Sequence, residues 1–205
     1  MRRLMAVMLV LAVALLSSHD RSSAQTTRDP ASFALSAADF PPGSQIVESE
    51  VASNEEVAFR HLQIGPPLPA GRTTGYYMQA RSYDSAGKIR LVVSYLVSLY
   101  TTADTADAAF NGETEFWRGL VGAGAQVRPL DADLYGEPGR QHWFAFSSAS
   151  GDTHSELFFR RGSVFVQMNL DTYGSGTTPL DVDAFLAMAH TLDVVAGRPA
   201  TTSSV

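Results

Sequence analysis

Two residues of this sequence have the types and the spacing that acid–base chemistry requires, His154 and Glu156. They lie two positions apart in a segment with strand character, and alternate residues of a strand project from the same face. An imidazole beside a carboxylate can act as a general base, which would suit a hydrolase. The alternative interpretation is a solvated hairpin end, and the ordinary composition of protein surfaces favours it.

Other combinations of reactive residues are incomplete. Asp131 and Asp133 are spaced like part of a calcium loop, but the remaining ligands of such a loop do not follow. The glycines of residues 119–124 come after a predicted helix, whereas a dinucleotide-binding loop needs glycines that leave a strand and open a helix. The histidines show no His-x-x-x-His spacing. We therefore predict no catalytic residue, no metal site and no cofactor.

Charge and cysteine content exclude several classes of protein. The chain has no cysteine, which excludes disulfides, thiolate catalysis and thiolate zinc sites. Its formal net charge of -6 repels phosphate backbones, so nucleic acid is not an expected partner. Because no disulfide can help, the hydrophobic core alone must hold the fold.

The N-terminus predicts export. Arg2 and Arg3 precede an unbroken apolar run over residues 4–16, and Ser22-Ser23-Ala24 supplies the small residues of a cleavage site. As a helix, that run rises only about 20 Å, against a hydrocarbon core of about 30 Å. We therefore predict a signal peptide over residues 1–24, an exported protein in the periplasm or the medium, and no stable membrane anchor after cleavage.

The order of the predicted elements indicates the fold class. Apolar patterns and turn residues predict strands over 44–51, 57–64, 76–83 and 89–100, a helix over 103–120, strands over 141–148, 153–160 and 164–171, and a closing helix from Thr178-Pro179-Leu180-Asp181. Thr102 and Thr178 are the expected N-caps. Two helices cannot supply crossovers between all successive strands, so the sheet is expected to be mainly antiparallel. The predicted class is α+β, a mainly antiparallel twisted β-sheet with two main helices packed on it.

One domain is predicted, over residues 34–196. Residues 25–33 are polar and predict a linker, and residues 197–205 predict a flexible tail because they are rich in Thr and Ser. The segment between them is long enough for one domain with a sizeable core.

Turn residues predict how the strands align. In the hairpin over 76–100, the alignment that separates apolar from mixed positions places Tyr76 opposite Val97. If Ser150-Gly151 and Arg161-Gly162 are two-residue turns, the three later strands form a meander with a clean apolar face. That core face holds Phe144, Phe146, Leu157, Phe159, Val164, Val166, Met168 and Leu170, with His142 at its edge.

The opposite face of this meander is the candidate ligand site. It carries three aromatic and five polar side chains: Trp143, Phe158, Phe165, Glu156, Gln167, His154, Asn169 and Arg160. Rings supply contact area and polar groups supply orientation, a combination that suits a small molecule or a peptide. The alternative interpretation is that the helix over 103–120 covers this face, with Phe110 and Trp117 packing on Trp143 and Phe158.

One segment carries a resemblance to a known family. Phe159-Arg160-Arg161-Gly162-Ser163-Val164-Phe165-Val166 is a basic hairpin turn that leads into an apolar strand, and a terminal helix follows. With this segment, the order of elements resembles the PsbP-like family of exported or lumenal α/β/α sandwich domains. The resemblance implies a non-catalytic accessory or binding protein, and it carries over no functional residue.

Three functions remain open from the sequence. The leading hypothesis is an exported bacterial protein that is not an enzyme and binds a small molecule or a protein partner. The second is a secreted hydrolase that uses His154 and Glu156 or an aspartate cluster. The third is a self-associating envelope protein.

Overall fold

A seven-stranded sheet lies at the centre of the computed structural model, which describes residues 28–61, 70–130, 134–174 and 178–199. The strands are β1 Gln45–Val51, β2 Arg72–Tyr83, β3 Ile89–Tyr100, β4 Gln126–Val127, β5 Gln141–Ser147, β6 Thr153–Arg161 and β7 Val164–Thr172. They lie in the order β1-β2-β3-β7-β6-β5-β4, and each neighbouring pair is antiparallel. At one edge the register of β1 shifts between Ile46 and Glu48, and at the other edge β4 has two residues.

Three α-helices pack on this sheet: α1 Asn54–His61, α2 Ala103–Val121 and α3 Pro179–Gly197. Helix α2 contacts β3, β6 and β7 from one side, and α3 contacts β6 and β7 from the other. Two 3-10 turns, Pro30–Phe33 and Ala37–Asp39, precede β1. The predicted α+β class, with a mainly antiparallel sheet and two main helices, is confirmed.

The predicted N-caps are also confirmed. The hydroxyl of Thr102 accepts the N–H of Thr105 at 3.2 Å, and the hydroxyl of Thr178 accepts the N–H of Asp181 at 3.2 Å. Each cap satisfies a backbone donor that the first turn of a helix leaves without a partner. Both long helices therefore start where the sequence predicts.

A partly buried ion pair joins the start of α3 to the sheet. Arg90 donates two hydrogen bonds to the carboxylate of Asp181, at 2.8 and 3.0 Å. These bonds, together with the bonds from Thr178, lower the pKa of Asp181 even though burial opposes them.

Asp181→Asn is expected to lower the free energy of unfolding at about pH 7 by about 1–3 kcal/mol, because Arg90 loses its partner. A lowered pKa in the folded state stabilises the fold above the ordinary value of 3.8, and this stabilisation disappears as the pH falls through the folded pKa. Urea titrations at about pH 7 and about pH 3 should therefore show a difference that shrinks in acid. Asp183→Asn, at an exposed position of the same turn, is the matched control and should show little change.

The α3 side of the sheet carries the larger core. Its buried side chains from the meander include Leu157, Phe159, Val164, Val166, Met168 and Leu170, which the sequence placed together. Tyr95 lies among them, and its hydroxyl donates to the carbonyl of Phe33 at 2.7 Å. Phe33 is fully buried, so the prediction of a linker over 25–33 is wrong for residues 30–33. Burial of the Phe33 ring in the core is favourable, and it orders this segment although the neighbouring residues are polar.

Both ends of the chain lie partly outside the described residues. The predicted signal peptide, 1–24, lies outside the described residues, as do residues 200–205 of the predicted tail. Helix α3 continues to Gly197, the first residue of that tail, and residues 29–199 form one compact unit. Among the described residues, the model contains no helix with the length and apolar character needed to span a membrane.

The prediction of a strand over 57–64 is wrong for residues 57–61, which belong to α1; residues 62–64 lie outside the described residues. Ser53 and Glu56 form a reciprocal cap: the Ser53 hydroxyl accepts the Glu56 N–H at 3.2 Å, and the Glu56 carboxylate accepts the Ser53 N–H at 2.8 Å. This pair satisfies two donors at the start of a helix. Strand β1 therefore pairs with β2.

The predicted alignment of β5 with β6 is wrong by one residue. Ser148 and Asp152 close the turn, because the Ser148 N–H donates to the Asp152 carbonyl at 2.8 Å. Three residues then lie between them, with Gly151 at a positive φ of 87°, instead of the two that we predicted. A slip of one residue moves every side chain of a strand to the other face. The predicted two-residue turn between β6 and β7 is displaced by one position: Arg161 pairs with Val164, so Gly162-Ser163 forms the turn in place of Arg161-Gly162. This changes the pairing by two residues, which leaves the face assignments of β6 and β7 correct. The pairing of Tyr76 with Val97 is also correct.

The slip between β5 and β6 exchanges the faces of β5. Trp143 pairs with Leu157 and lies on the α3 side, so it leaves the predicted ligand site. His142 and Phe144 leave the predicted core face and lie on the α2 side, next to Phe158, and Phe146 follows them by alternation.

Candidate functional site

Seven of the eight predicted site residues share the α2 side of the sheet. They are Phe158, Phe165, Glu156, Gln167, His154, Asn169 and Arg160, from β6 and β7. Pairing across the two strands places His154 beside Asp171, Glu156 beside Asn169, and Arg160 beside Phe165.

Helix α2 covers the aromatic members of this set. Phe158 and Phe165 are almost fully buried, and the ring of Phe110 meets both edge-on, at centroid distances of 5.6 and 6.5 Å. Trp117 stacks on Phe144 at 5.5 Å, so Phe144 takes the position that the alternative interpretation gave to Trp143. The alternative interpretation, a face covered by a helix, is therefore correct for these rings, which form a second core.

Two carboxyl groups lie buried together in this core. Glu113 comes from α2 and Glu156 from β6, and each is less than a tenth exposed. Gln167 of β7 joins them, because its Nε2 donates to Glu113 at 2.9 Å and to Glu156 at 3.4 Å. We call Glu113, Glu156 and Gln167 the acid pair cluster.

Burial shifts the titration of both acids upward. It raises the pKa of Glu113 to about 7, while the neighbouring polar groups of Glu156 and Trp117 lower it. For Glu156, burial is the largest cause, the charge of Glu113 is the second, and its pKa is raised well above the ordinary value. Two carboxylates in one dry site cannot both be charged cheaply, so the cluster holds a proton near neutral pH.

His154 pairs with Asp171, whereas we predicted Glu156 as its partner. The Nδ1 atom of His154 bonds to a carboxylate oxygen of Asp171, and its ring stacks on Trp117 at 5.6 Å. The other ring nitrogen, Nε2, is buried, and no described residue bonds to it. An aspartate on Nδ1 is how hydrolases orient a catalytic imidazole. Within the described part of the chain, however, no hydroxyl lies in position as a nucleophile for it.

Arg160, another predicted residue on this side, forms ion pairs that connect parts of the fold. Its Nη2 lies 2.6 Å from Glu137, and its Nε lies 3.0 Å from Asp107 of α2. These contacts attach α2 and the loop before β5 to the end of β6. As for metals, no cluster of three suitable side chains occurs in the described ranges.

An open pocket lies on the other side of the sheet, where Trp143 is. Its volume is about 440 Å3, and eight residues line it: Arg128, Trp143, Thr153, Ser155, Leu170, Thr178, Pro179 and Val182. They come from β5, β6, β7, the start of α3, and the residue that follows β4. We call this the Trp143 pocket.

Hydrogen-bond donors dominate the polar part of the Trp143 pocket. The indole Nε1 of Trp143 is buried, and no residue in the described part of the chain bonds to it; Ser155 is 5% exposed. Arg128 adds an exposed guanidinium, and its backbone N–H donates to the Trp143 carbonyl at 2.7 Å. None of the eight lining residues is acidic. The pocket therefore suits a molecule that presents hydrogen-bond acceptors.

Comparison with solved structures finds a likeness to the extracellular domain of PknH from Mycobacterium tuberculosis, with a TM-score of 0.52. The fold resembles that of a bacterial extracellular domain. The likeness covers 82% of this chain and 100% of that chain at 12% sequence identity, so it shows the fold alone. No family model and no curated protein sequence matches this chain. The resemblance to PsbP-like domains therefore stays a prediction.

Sequence reasoning missed Glu113 and Asp171 on the α2 side of the sheet, and seven of the eight residues that line the Trp143 pocket. Glu113 is three positions after Phe110 and four before Trp117, and this spacing on one helix face was a usable signal. Asp171 is the last residue of the predicted strand 164–171 and lies two positions after Asn169 on the same face, so alternation was a usable signal. Ser155 gave no signal, because its neighbours in the pocket come from distant parts of the chain.

Proposed function

We propose that this protein is an exported bacterial binding domain, without catalytic activity, that holds a small molecule in the Trp143 pocket. The observation that carries this proposal is the buried indole N–H of Trp143, to which no described residue bonds, at the wall of a pocket of about 440 Å3 that Trp143 lines. A buried donor without a partner costs free energy, and an acceptor on a ligand would recover it. Pockets of this volume commonly hold small organic molecules.

Three observations support export to the periplasm or the medium. The charged start, apolar run and small cleavage residues of positions 1–24 have the pattern of a signal peptide. The fold resembles the extracellular domain of PknH. A chain without cysteine needs no oxidising compartment to mature, which suits secretion by a bacterium.

Hydrolysis is the alternative that the His154–Asp171 pair supports. We favour binding because Nε2 of His154 is buried and its ring is stacked on Trp117, so α2 would have to move before a substrate reached it. Self-association remains a prediction, and a mass in solution that rises with concentration would support it.

The binding proposal can be tested through the Trp143 indole. The chain has two tryptophans, one on each side of the sheet, so its two indole N–H signals report on the two sides separately. We expect at least one member of a set of small carboxylates, alcohols and amines to shift the Trp143 signal and leave Trp117 unchanged. No response of Trp143 to any of them at millimolar concentration would contradict the proposal.

A filled pocket provides the matched comparison. Val182→Phe adds a ring to the pocket wall and should abolish the response, while Val194→Phe, at an exposed position of the same helix, should preserve it. Far-ultraviolet circular dichroism of both variants checks that the fold is retained.

A further inference from the structure

We infer that the ligand of the Trp143 pocket is a small carboxylate with an apolar body. This inference rests on the proposed function and specifies the class of molecule bound. It follows from the sign of the charges around the pocket, from the hydrogen-bond donors among the residues that line it, and from the apolar residues of its walls.

The charge around the Trp143 pocket is opposite to that of the chain. The whole sequence has a formal net charge of -6, yet the eight described residues that line the pocket include one cation, Arg128, and no acid. A concave site with low-dielectric walls concentrates the field of the charges that line it. An anion is therefore favoured at this pocket although the rest of the surface repels it.

The start of α3 reinforces this preference. Thr178, Pro179 and Val182 line the pocket, and the N-terminal end of a helix carries a partial positive charge. One carboxylate at the start of this helix, Asp181, is paired with Arg90 through two hydrogen bonds, which compensates its charge. The other, Asp183, is exposed, where water screens its charge. The two acids therefore cancel only part of the attraction for an anion.

The donors indicate a carboxylate in preference to a phosphate. Arg128 supplies a planar guanidinium, which matches the two oxygens of a carboxylate. Trp143 supplies one N–H, and the buried Ser155 adds one hydroxyl. One cation and two neutral donors suit a head with a single charge, whereas a phosphate with two charges generally requires more cations.

The walls fit an apolar body. Leu170, Val182 and Pro179 line the pocket together with the ring of Trp143. An aromatic ring or a short branched chain on the carboxylate would pack against them and leave its charge at the exposed Arg128.

Four probes with one ring test this inference: benzoate, benzyl alcohol, benzylamine and phenyl phosphate. The protein, purified after export, is titrated with each while the Trp143 indole signal is followed. We expect benzoate to bind about tenfold more tightly than benzyl alcohol, because of the charge-assisted bonds, and benzylamine to bind most weakly.

Two variants assign the contacts. Arg128→Gln should weaken benzoate binding about tenfold and leave benzyl alcohol unchanged, whereas Arg118→Gln, an exposed arginine of α2, should change neither. Trp143→Phe keeps an aromatic ring and removes the N–H, so it should weaken benzoate as well. Its binding is followed by calorimetry, because the indole signal is lost.

The possible failures can be told apart. Equal affinity for benzoate, benzyl alcohol and benzylamine would overturn the carboxylate inference and leave the binding proposal standing. Tighter binding of phenyl phosphate than of benzoate would overturn the choice of carboxylate. No response to any probe in this titration or in the broader set of compounds would overturn both the inference and the proposed function.

Discussion

Glu156→Gln is expected to stabilise the protein by about 2 kcal/mol at about pH 8, although it removes a charged residue from the interior. At that pH the folded protein must either keep a proton on the acid pair cluster or bury its charge, and both cost free energy. Glutamine keeps the shape of Glu156 and an oxygen that can accept from Gln167, but it carries no charge. Urea titrations followed by tryptophan fluorescence measure the difference.

The sign of the pH dependence follows from the direction of the shifts. Raised pKa values mean that the folded state binds more protons than the unfolded state at intermediate pH. The stability of the wild type should therefore decrease as the pH rises from 4.5, the ordinary value for glutamate, through about 7, the pKa of Glu113. Asp181 has the opposite shift and acts in more acidic solution.

Glu115→Gln is the matched control, because Glu115 is an exposed residue of the same helix. It should leave both the stability and its pH dependence unchanged, whereas Glu156→Gln should flatten the decrease. A wild type whose stability does not change between about pH 5 and pH 8 would contradict the buried pair.

Gly75→Ala is expected to destabilise the protein by about 3 kcal/mol or more. A Cβ at this position of β2 would lie 2.2 Å from the carbonyl oxygen of Val97 and 2.2 Å from Nη2 of Arg72. The first of these is backbone, and it cannot retreat without breaking the pairing of β2 with β3.

Arg72 cannot retreat easily either. Its guanidinium is buried and bonds to the hydroxyl of Ser98 at 2.9 Å and to the side chain of Asn54 at 2.8 Å. These partners are neutral, and burial lowers the pKa of Arg72 to about 10. A shift of this side chain would leave a buried cation without its hydrogen bonds.

Gly112→Ala provides a control of opposite sign. A Cβ on Gly112 of α2 meets no atom within 4 Å, and alanine favours a helix over glycine by about 1 kcal/mol. Urea titration should therefore show a gain in stability for Gly112→Ala and a large loss for Gly75→Ala. Similar effects of the two substitutions would show that the close contact at Gly75 is absent.

The parts of the fold that the sequence predicts are those with an unambiguous local signal. Thr102 and Thr178 mark the starts of two helices, and each has a capping residue three positions later. Along β6 and β7, apolar residues alternate so that one face of the pair is apolar. The face of these strands that belongs to the core could therefore be predicted.

Strand β5 could not be aligned in the same way, for two reasons. Its alternate sets, Trp143 and Ala145 against Phe144 and Phe146, are both apolar, so alternation does not distinguish its faces. The segment 148–152 accommodates a loop of two or of three residues, and these differ by one position in register. Helix α1 was not predicted, because the apolar residues that follow the Ser53–Glu56 cap were interpreted as a strand.

Of the candidate site, the sequence predicts the faces but not the neighbours. Glu156, Gln167 and His154 were placed together by alternation along β6 and β7, which is a local property. Their actual partners, Glu113 and Asp171, depend on how α2 packs and on the register between strands. The Trp143 pocket draws its lining from five separate segments, and no local pattern in the sequence describes such a site.

The two edges of the sheet have a consequence for behaviour at high concentration. A long, flat edge strand can recruit another chain and begin aggregation, and proteins oppose this with bulges, charges and short strands. Here β1 has an extra residue, Val47, between its paired positions Ile46 and Glu48. Glu48 and Glu50 carry charge along it, and β4 at the other edge is two residues long. Both edges of the described sheet therefore oppose the edge-to-edge addition of another chain, and we expect any self-association to use a surface other than β1 or β4.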